Sequence, residues 1–521
     1  MVLSPTCFRP FPDTEADLLF AQLATFAWTA PSIDYHALAP EIIVAATLVV
    51  LVLVDAFTGE NSRWATSSIA GVGLLAALIP VVSLAYNGTE RILFGGAYVV
   101  DDYALVLKAL FLLSAYVVIL LSTNYIAEGD YYEGEYYQLI LASVLGMMVM
   151  ASARDLISIF VALELISIPA YMLAAWRKRD AKSNEAGLKY YLMGVFASAI
   201  LLYGMSLIFG ITGSTLLVEI GPKLGEAISS QPIVTLGIVF VIIGFGFKVS
   251  AVPFHTWAPD VYEGAPTPVT SFLAVASKAA GFVALMNILF IGFYGRDDVY
   301  GPLIWVLAAV TMTFGNLVAL RQTNVVRMLA YSGIAQAGYI LAPLAVAGTS
   351  LAVGGEALRS VVLYLLIYAA MNLGAFAVVI AVARKTRSAS VNSFAGLFQY
   401  APALTVAMTV FLFALAGIPP AGGWFAKLEI FRALTAAGTS GGYILATIVG
   451  INSVIAFGYY GRLIRVMWMD DAPDGDVAPI RVPVALKAAV VLTVGITVIV
   501  GVFPGLLTHF TDPITLFSLA R

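Results

Sequence analysis

The chain carries one cysteine, Cys7, three histidines and only 11% charged residues in 521. A lone thiol excludes CxxC redox pairs, thiolate ligation of iron-sulfur clusters and a disulfide framework. His36, His255 and His509 are scattered along the chain, so no metal site is expected. The fragments GFGFKV and GVGLLA lie inside apolar runs and do not complete the GxGxxG that opens a dinucleotide fold. With 27 basic against 31 acidic residues, no nucleic-acid partner is expected either. These absences predict a chain with no redox centre and no cofactor of its own.

What is present is overwhelmingly apolar. Hydrophobic residues make up 61% of the chain and the mean hydropathy is +0.94, beyond the range of soluble globular proteins. About fourteen runs reach the roughly 20 residues needed to span a bilayer core. They centre near residues 48, 77, 112, 144, 164, 199, 242, 281, 311, 340, 371, 416, 454 and 497. Their continuity excludes the short alternating strands of a barrel, so the expected fold is an all-α polytopic membrane protein of about 14 transmembrane helices. Residues 1–38 hold Pro5, Pro10, Pro12, Asp13, Glu15 and Asp17 against Arg9 alone. They lack the basic start of a signal peptide and read as a short external segment.

Lysine and arginine are retained on the cytoplasmic side of a membrane. Arg177, Lys178, Arg179 and Lys182 follow the fifth span, Arg384, Lys385 and Arg387 the eleventh, and Arg462, Arg465, Arg481 and Lys487 the thirteenth. Odd-numbered spans are therefore expected to end inside, with both termini outside. Helix breakers interrupt the seventh span at KVSAVPF, with Pro253, and the twelfth at AGIPPAGG, with Pro419 and Pro420. A proline removes one donor and frees the carbonyl four residues earlier, which a membrane tolerates only where protein or water takes that carbonyl. The two breaks stand five spans apart. That pairs spans 4–8 (residues 136–293) with spans 9–13 (302–468) as units of opposite entry, the pattern of inverted repeats around a midplane pathway. Residues 39–125 would then hold spans 1–3, and 484–521 the last span with its tail.

Ionisable groups at membrane depth are the costly feature: Glu164, Lys189, Lys248, Lys278, and Lys427 with Glu429. Each lysine costs at least ~2.5–3.5 kcal/mol at a helix centre. Lys189 and Glu429 lie near the ends of their spans and could reach the headgroups. Lys248 follows a long apolar run and abuts a break, and Lys278 lies well inside its own span, so both point to function. The chemistry they suggest is proton movement, in which the proton affinity of Lys248 depends on its distance from Glu164. Ser277, Ser332, Gln336, Tyr339 and His255 are candidate relay groups, against the plainer roles of helix contacts or, for His255, of holding the broken helix.

At these residues the chain resembles the antiporter-like membrane subunits of complex I, the proton-pumping NADH:quinone oxidoreductase. The phrases that carry the resemblance are ELISIPAYML (164–173), EAGLKYYLMG (185–194), FKVSAVPFHTWAPDVYEGAPTPVTSFLAVASKAAGF (247–282) and GIPPAGGWFAK (417–427). PDVYEGAPTPV is similar to the N-type subunits more than to the L or M types or the Mrp antiporters. The resemblance implies that Glu164 and Lys248 form the charge pair at the input side, that Lys278 is the connecting lysine, and that Lys427 leads outward. It implies that Lys189 is the lysine these subunits carry in span six. It further implies a bacterial inner-membrane location, other complex I subunits as partners, and NADH, FMN, iron-sulfur and quinone chemistry on those subunits. The expected function is a proton-translocating membrane subunit. Its rivals are a Na⁺/H⁺ antiporter of Mrp type, a membrane arm of a hydrogenase or ferredoxin-linked complex, and a scaffold whose buried charges only fix packing.

Overall fold

The computed structural model describes residues 33–521 apart from 59–62, 89, 130–133, 226–231, 476, 513, 515 and 517–521. Most of the expected external segment, with Cys7, lies outside the described residues. The chain begins with α1 (Ala39–Thr58), α2 (Arg63–Asn87) and a hairpin of β1 (Arg91–Leu93) and β2 (Tyr98–Val100). Then come α3 (Asp102–Ala127), α4 (Glu135–Ser152), α5 (Leu156–Ala174) and α6 (Ala181–Thr212). A broken pair follows, α7 (Pro232–Lys248) and α8 (Trp257–Gly264), and then α9 (Thr267–Gly292). After it run α10 (Asp297–Ala319), α11 (Val325–Leu341) and α12 (Leu351–Thr386). The second broken pair is α13 (Pro402–Ala416) and α14 (Gly422–Ala436), and α15 (Ser440–Met469) and α16 (Val484–Val502) complete the bundle.

Helices start where a polar side chain before an apolar run takes up the free N–H groups of the first turn. Asp101 accepts from the Ala104 amide at 2.7 Å before α3, and Asp155 from Ile157 and Ser158 at 2.9 and 3.0 Å before α5. Asn324 does the same before α11, accepting from Val326 and Arg327 at 2.8 and 3.2 Å. Ser350, accepting from Val353 at 3.2 Å, opens α12, which at 1.5 Å per residue is about 54 Å long.

Among the described residues, twelve helices are long and apolar enough to cross a bilayer. The other two expected spans, centred near 242 and 416, are the interrupted ones. Their apolar halves are the 17-residue α7 and the 15-residue α13, each short of a full crossing. The chain turns after Lys248 and after Ala416 before a second helix begins. In the first turn the Ala251 amide reaches back to Gly246 at 2.8 Å, and Val252 donates to Thr311 Oγ1 of α10 at 2.9 Å. Trp257 Nε1 caps the Phe247 carbonyl at 3.0 Å. The second turn follows the same economy: Gly417, at φ +87°, and Ile418 both donate to Phe413, and Trp424 Nε1 donates to Gly501 at 3.3 Å.

Burial is uneven along the bundle. The most apolar stretches of α9, α11 and α12 are 100%, 89% and 94% buried, against 28% for α1 and 33% for α6 and α15. Three central helices thus form a buried axis, and five of the candidate residues, Ser277, Lys278, Ser332, Gln336 and Tyr339, lie on it.

The second break leaves no room for a side chain. A Cβ on Gly423 would stand 1.8 Å from the Ala414 carbonyl oxygen, whereas one on Gly495 meets nothing within 4 Å. Gly423→Ala is expected to destabilise the fold by about 1–3 kcal/mol through overpacking and to lower the unfolding midpoint of the purified protein, with Gly495→Ala unchanged in the same thermal-shift assay.

Candidate functional site

Lys248 is the last residue of α7 and is buried. Its ammonium donates to Ser167 Oγ at 2.9 Å, and that hydroxyl donates onward to Leu163 O at 2.6 Å. Ser167 lies three residues after Glu164 on α5, so the helical period puts both on one face. Glu164 acts on Lys248 electrostatically, yet no ion pair joins them, and Glu164 Oε1 is buried without a hydrogen-bond partner among the described residues. The charge pair that the resemblance implies thus stands without direct contact, with the ammonium bonded to the serine hydroxyl. α9 closes over this lysine: a Cβ on Gly281 would touch its Cγ at 3.0 Å.

Lys278 follows directly after a π-helical turn, Leu273–Ser277, in the fully buried α9. It donates to the Gly333 carbonyl of α11 at 2.8 Å. A Cβ on Gly333 would lie 3.4 Å from that ammonium and 3.1 Å from the Tyr368 hydroxyl of α12, so the missing side chain lets lysine and tyrosine face one another. Ser277 is buried beside Tyr190 and points into a different contact.

From Gly333 the polar groups continue toward the second break. Ser332, the preceding residue, hydrogen-bonds the Tyr460 hydroxyl of α15. Gln336, one turn along, donates to that hydroxyl at 3.4 Å and to the Leu415 carbonyl at 3.1 Å, while its Oε1 accepts from Tyr364. Leu415 and Ala416 end α13, and Lys427 donates to the Ala416 carbonyl at 2.8 Å. Pro420 is the residue whose absent N–H would have bonded that carbonyl, so the lysine satisfies what the break leaves open. Its ammonium also lies 4.7 Å from the centre of the Tyr339 ring, a cation–π contact. The Tyr339 hydroxyl accepts from Asn316 Nδ2 at 2.9 Å, and Asn316 in turn meets Asn452 and Tyr459.

Ser332, Gln336, Tyr339, Lys278 and Lys427 are thus brought together. His255 is not part of this row: it packs edge-on against Phe314 at 4.8 Å, with a buried Nδ1 that has no hydrogen-bond partner among the described residues. Lys189 also stands apart. It lies eight residues beyond the start of α6, partly exposed, and pairs with Asp260 and Glu185, both at 2.7 Å. Asp260 also binds Arg327 at 2.9 Å, and Arg327 binds Glu263 at 3.0 Å, so this cluster ties α6, α8 and α11 together. Glu429 pairs with Arg432 at 2.7 Å. Sequence reasoning missed Ser167, Tyr364, Tyr368, Tyr460 and Asn316, since single hydroxyls and amides in apolar runs look like helix contacts. Among the described residues no three His, Cys, Asp or Glu side chains converge on one point.

Residues 153–456 match the family model described as "NADH:quinone oxidoreductase/Mrp antiporter, TM". The chain is 39% identical to NADH-quinone oxidoreductase subunit N of Trichlorobacter lovleyi, over 92% of this chain and 97% of that one. It is 41% identical to subunit N of Heliobacterium modesticaldum, over 86% and 91%. Respiratory complex I of Thermus thermophilus contains a chain of the same fold with TM-score 0.75 and 31% identity, over 90% of this chain and 98% of that one. The Mrp complex of a Dietzia species matches with TM-score 0.81 over 92% and 97%, but at 21% identity, a likeness of fold alone.

The geometry separates two kinds of polar residue. Gln336→Leu would strand the Tyr364 hydroxyl and the Leu415 carbonyl in a dry core, at about 1–3 kcal/mol, and should lower the unfolding midpoint. Lys189→Ala, at a partly exposed cluster where Arg327 still holds Asp260, should leave that midpoint near the parent value in the same measurement.

Proposed function

The chain belongs to the subunit N branch of the NADH:quinone oxidoreductase/Mrp antiporter family, a membrane subunit of an NADH-quinone oxidoreductase, and from that premise we propose that it moves protons through Lys248, Lys278 and Lys427. The observation that carries this reading is what these three lysines touch. Each ammonium is held by a neutral oxygen: Ser167 Oγ, Gly333 O and Ala416 O. A lysine locked to a carboxylate at contact distance is held in its charged form. A lysine on a neutral acceptor keeps a donor bond whether it is an ammonium or an amine, so it can give up a proton without breaking its site.

In this reading Glu164 biases Lys248 from beyond contact distance, and a small approach or withdrawal of that carboxylate shifts the proton between Lys248 and its neighbours. The Ser332–Tyr460–Gln336 chain provides the polar lining between Lys278 and Lys427. Beyond Lys427, a cavity of about 310 Å³ lined by Glu356, Arg359, Glu429, Arg432 and Asp512 gives the proton a charged vestibule. The basic end of the bundle, where Arg384 meets Glu128 at 2.6 Å, faces the cytoplasm, and that vestibule faces outward. The two broken pairs α7–α8 and α13–α14 are equivalent members of inverted repeats spanning 136–293 and 302–468. Electron transfer from NADH through flavin and iron-sulfur centres to quinone takes place on partner subunits, which drive this chain through charge and conformation. Lys189 acts here as an ion-pair anchor of the cytoplasmic end.

In membranes carrying the whole complex, Lys248→Ala and Glu164→Gln are expected to assemble normally on native gels. They should lower coupled NADH:quinone turnover by about tenfold, ~1.4 kcal/mol at the rate-limiting step. Undiminished turnover and pumping in both variants would remove the proposal. Cation-driven pH changes by the isolated chain in liposomes, with no electron donor, would instead favour an antiporter.

A further inference from the structure

Lys427 differs from the other two lysines of the row in one contact. Lys248 and Lys278 meet oxygens, Ser167 Oγ and Gly333 O, whereas Lys427 meets the Ala416 carbonyl and also stands over the face of Tyr339, 4.7 Å from the ring centre. A carbonyl accepts from an ammonium and from an amine alike. The ring quadrupole attracts only the cation, so Tyr339 is the contact through which this site responds to the presence of the proton. On its other flank the lysine stem is confined by Gly417, where a Cβ would stand 2.7 Å from Lys427 Cδ. Lys427 has little freedom to follow the ring if the ring moves.

The ring is held from its far end. The Tyr339 hydroxyl accepts from Asn316 Nδ2 of α10 at 2.9 Å. The same nitrogen reaches the carbonyl and Oδ1 of Asn452 on α15, at 3.1 and 3.2 Å, and Asn316 Oδ1 accepts from the Tyr459 hydroxyl at 3.0 Å. Asn452 is anchored in turn, its Nδ2 donating to Thr313 Oγ1 at 3.1 Å and to the Ile448 carbonyl at 3.0 Å. Asn316, Tyr339, Asn452 and Tyr459 are all buried, and none of them leaves a buried polar atom unmatched. A fully matched network of this kind fixes one arrangement of its members.

The backbone is shaped for this contact. A Cβ on Gly315 would lie 2.6 Å from the Ala335 amide nitrogen, and one on Gly338 2.5 Å from that of Met312. These glycines immediately precede Asn316 and Tyr339, so the close approach that small residues permit between α10 and α11 is what brings the amide onto the phenol. Tyr459 packs its ring on Tyr460 at 4.3 Å, and the Tyr460 hydroxyl meets Ser332 and Gln336 in the row. Leucine at position 316 could join the same helices by packing, but only directional bonds to the hydroxyl set where the Tyr339 face lies.

We propose that Asn316, braced by Asn452 and Tyr459, is a positioning residue for proton translocation, which acts through the Tyr339 hydroxyl to hold the ring face against the Lys427 ammonium. Asn316 touches no transferred proton. The role rests on the reading of Lys427 as a proton carrier, and it adds the element that lets the last lysine of the row distinguish its two protonation states.

The test measures coupled NADH:quinone turnover and protons released per NADH in proteoliposomes of the intact complex. Tyr339→Leu removes the ring and is expected to lower coupled turnover about tenfold. Tyr339→Phe keeps the ring, loses only its oxygen, and should cost about threefold; a tyrosine serving only to carry the hydroxyl network would make the two variants alike. Asn316→Leu is expected to match Tyr339→Phe, and the double variant Asn316→Leu/Tyr339→Phe to be no worse than either, because both changes break the same link. Equal turnover in the Phe and Leu variants, or losses that multiply in the double variant, would overturn the proposal. If Asn316→Leu prevents assembly, the comparison of Tyr339→Phe with Tyr339→Leu still decides. Lys427→Met separates the two readings: parental turnover there would remove the lysine itself and the positioning role with it. An impaired Lys427→Met complex beside unaffected Tyr339 variants would overturn the positioning role alone.

Discussion

The Ala416 carbonyl and the Lys427 ammonium, 2.8 Å apart, express the constraint that organises this molecule. Within hydrocarbon, every backbone group released from a helix must find a partner, and every charge must find a dipole. Pro420 creates the first problem and Lys427 the second, and each answers the other. At the first break the same demands are met less economically: Trp257 takes the Phe247 carbonyl, Thr311 takes the Val252 amide, and Lys248 turns to Ser167. At the second break, then, the interrupted helix and the buried lysine each make the other tolerable. Lys278, away from either break, shares the Gly333 carbonyl of the neighbouring α11.

The arrangement also explains why the central helices are the most buried ones. A polar row surrounded by lipid would be disrupted by water defects and headgroups, whereas α9, α11 and α12 are enclosed on nearly all sides. Tyrosines supply most of the lining. Tyr339, Tyr364, Tyr368 and Tyr460 offer hydroxyls on rigid, largely apolar rings, which keeps the path polar within a buried core. The cost of ordering these groups is offset by packing, and their fixed positions keep the acceptors within hydrogen-bonding reach of each lysine.

The sequence alone revealed the all-α membrane architecture, because long apolar runs admit few alternatives, and it located both breaks through Pro253, Pro419 and Pro420. Lys278 and Lys427 stood out for the same reason, as charges deep in apolar runs. Lys189 was harder to place: the start of α6 at Ala181 puts it beside Asp260, a partner brought near by the second half of a broken helix and invisible in one dimension. The separation of Glu164 from Lys248 depends on which of two neighbouring oxygens an ammonium reaches first, a difference of ångströms that no residue pattern records. Lys108 and Glu41, a buried ion pair at 2.9 Å, escaped notice because each lies close to the start of its helix, where a charge usually belongs to the headgroup zone. Only the packing of α1, α3 and the hairpin buries them.

The central claim is that protons pass along the lysine row and that the row fails as a unit. It is tested most directly by counting protons released per NADH oxidised in proteoliposomes of the intact complex bearing Lys278→Met. The side chain keeps its length there, but its proton-carrying group is removed. The account predicts an assembled complex with a lower proton yield per NADH than the parent. An unchanged proton yield from that complex would contradict it.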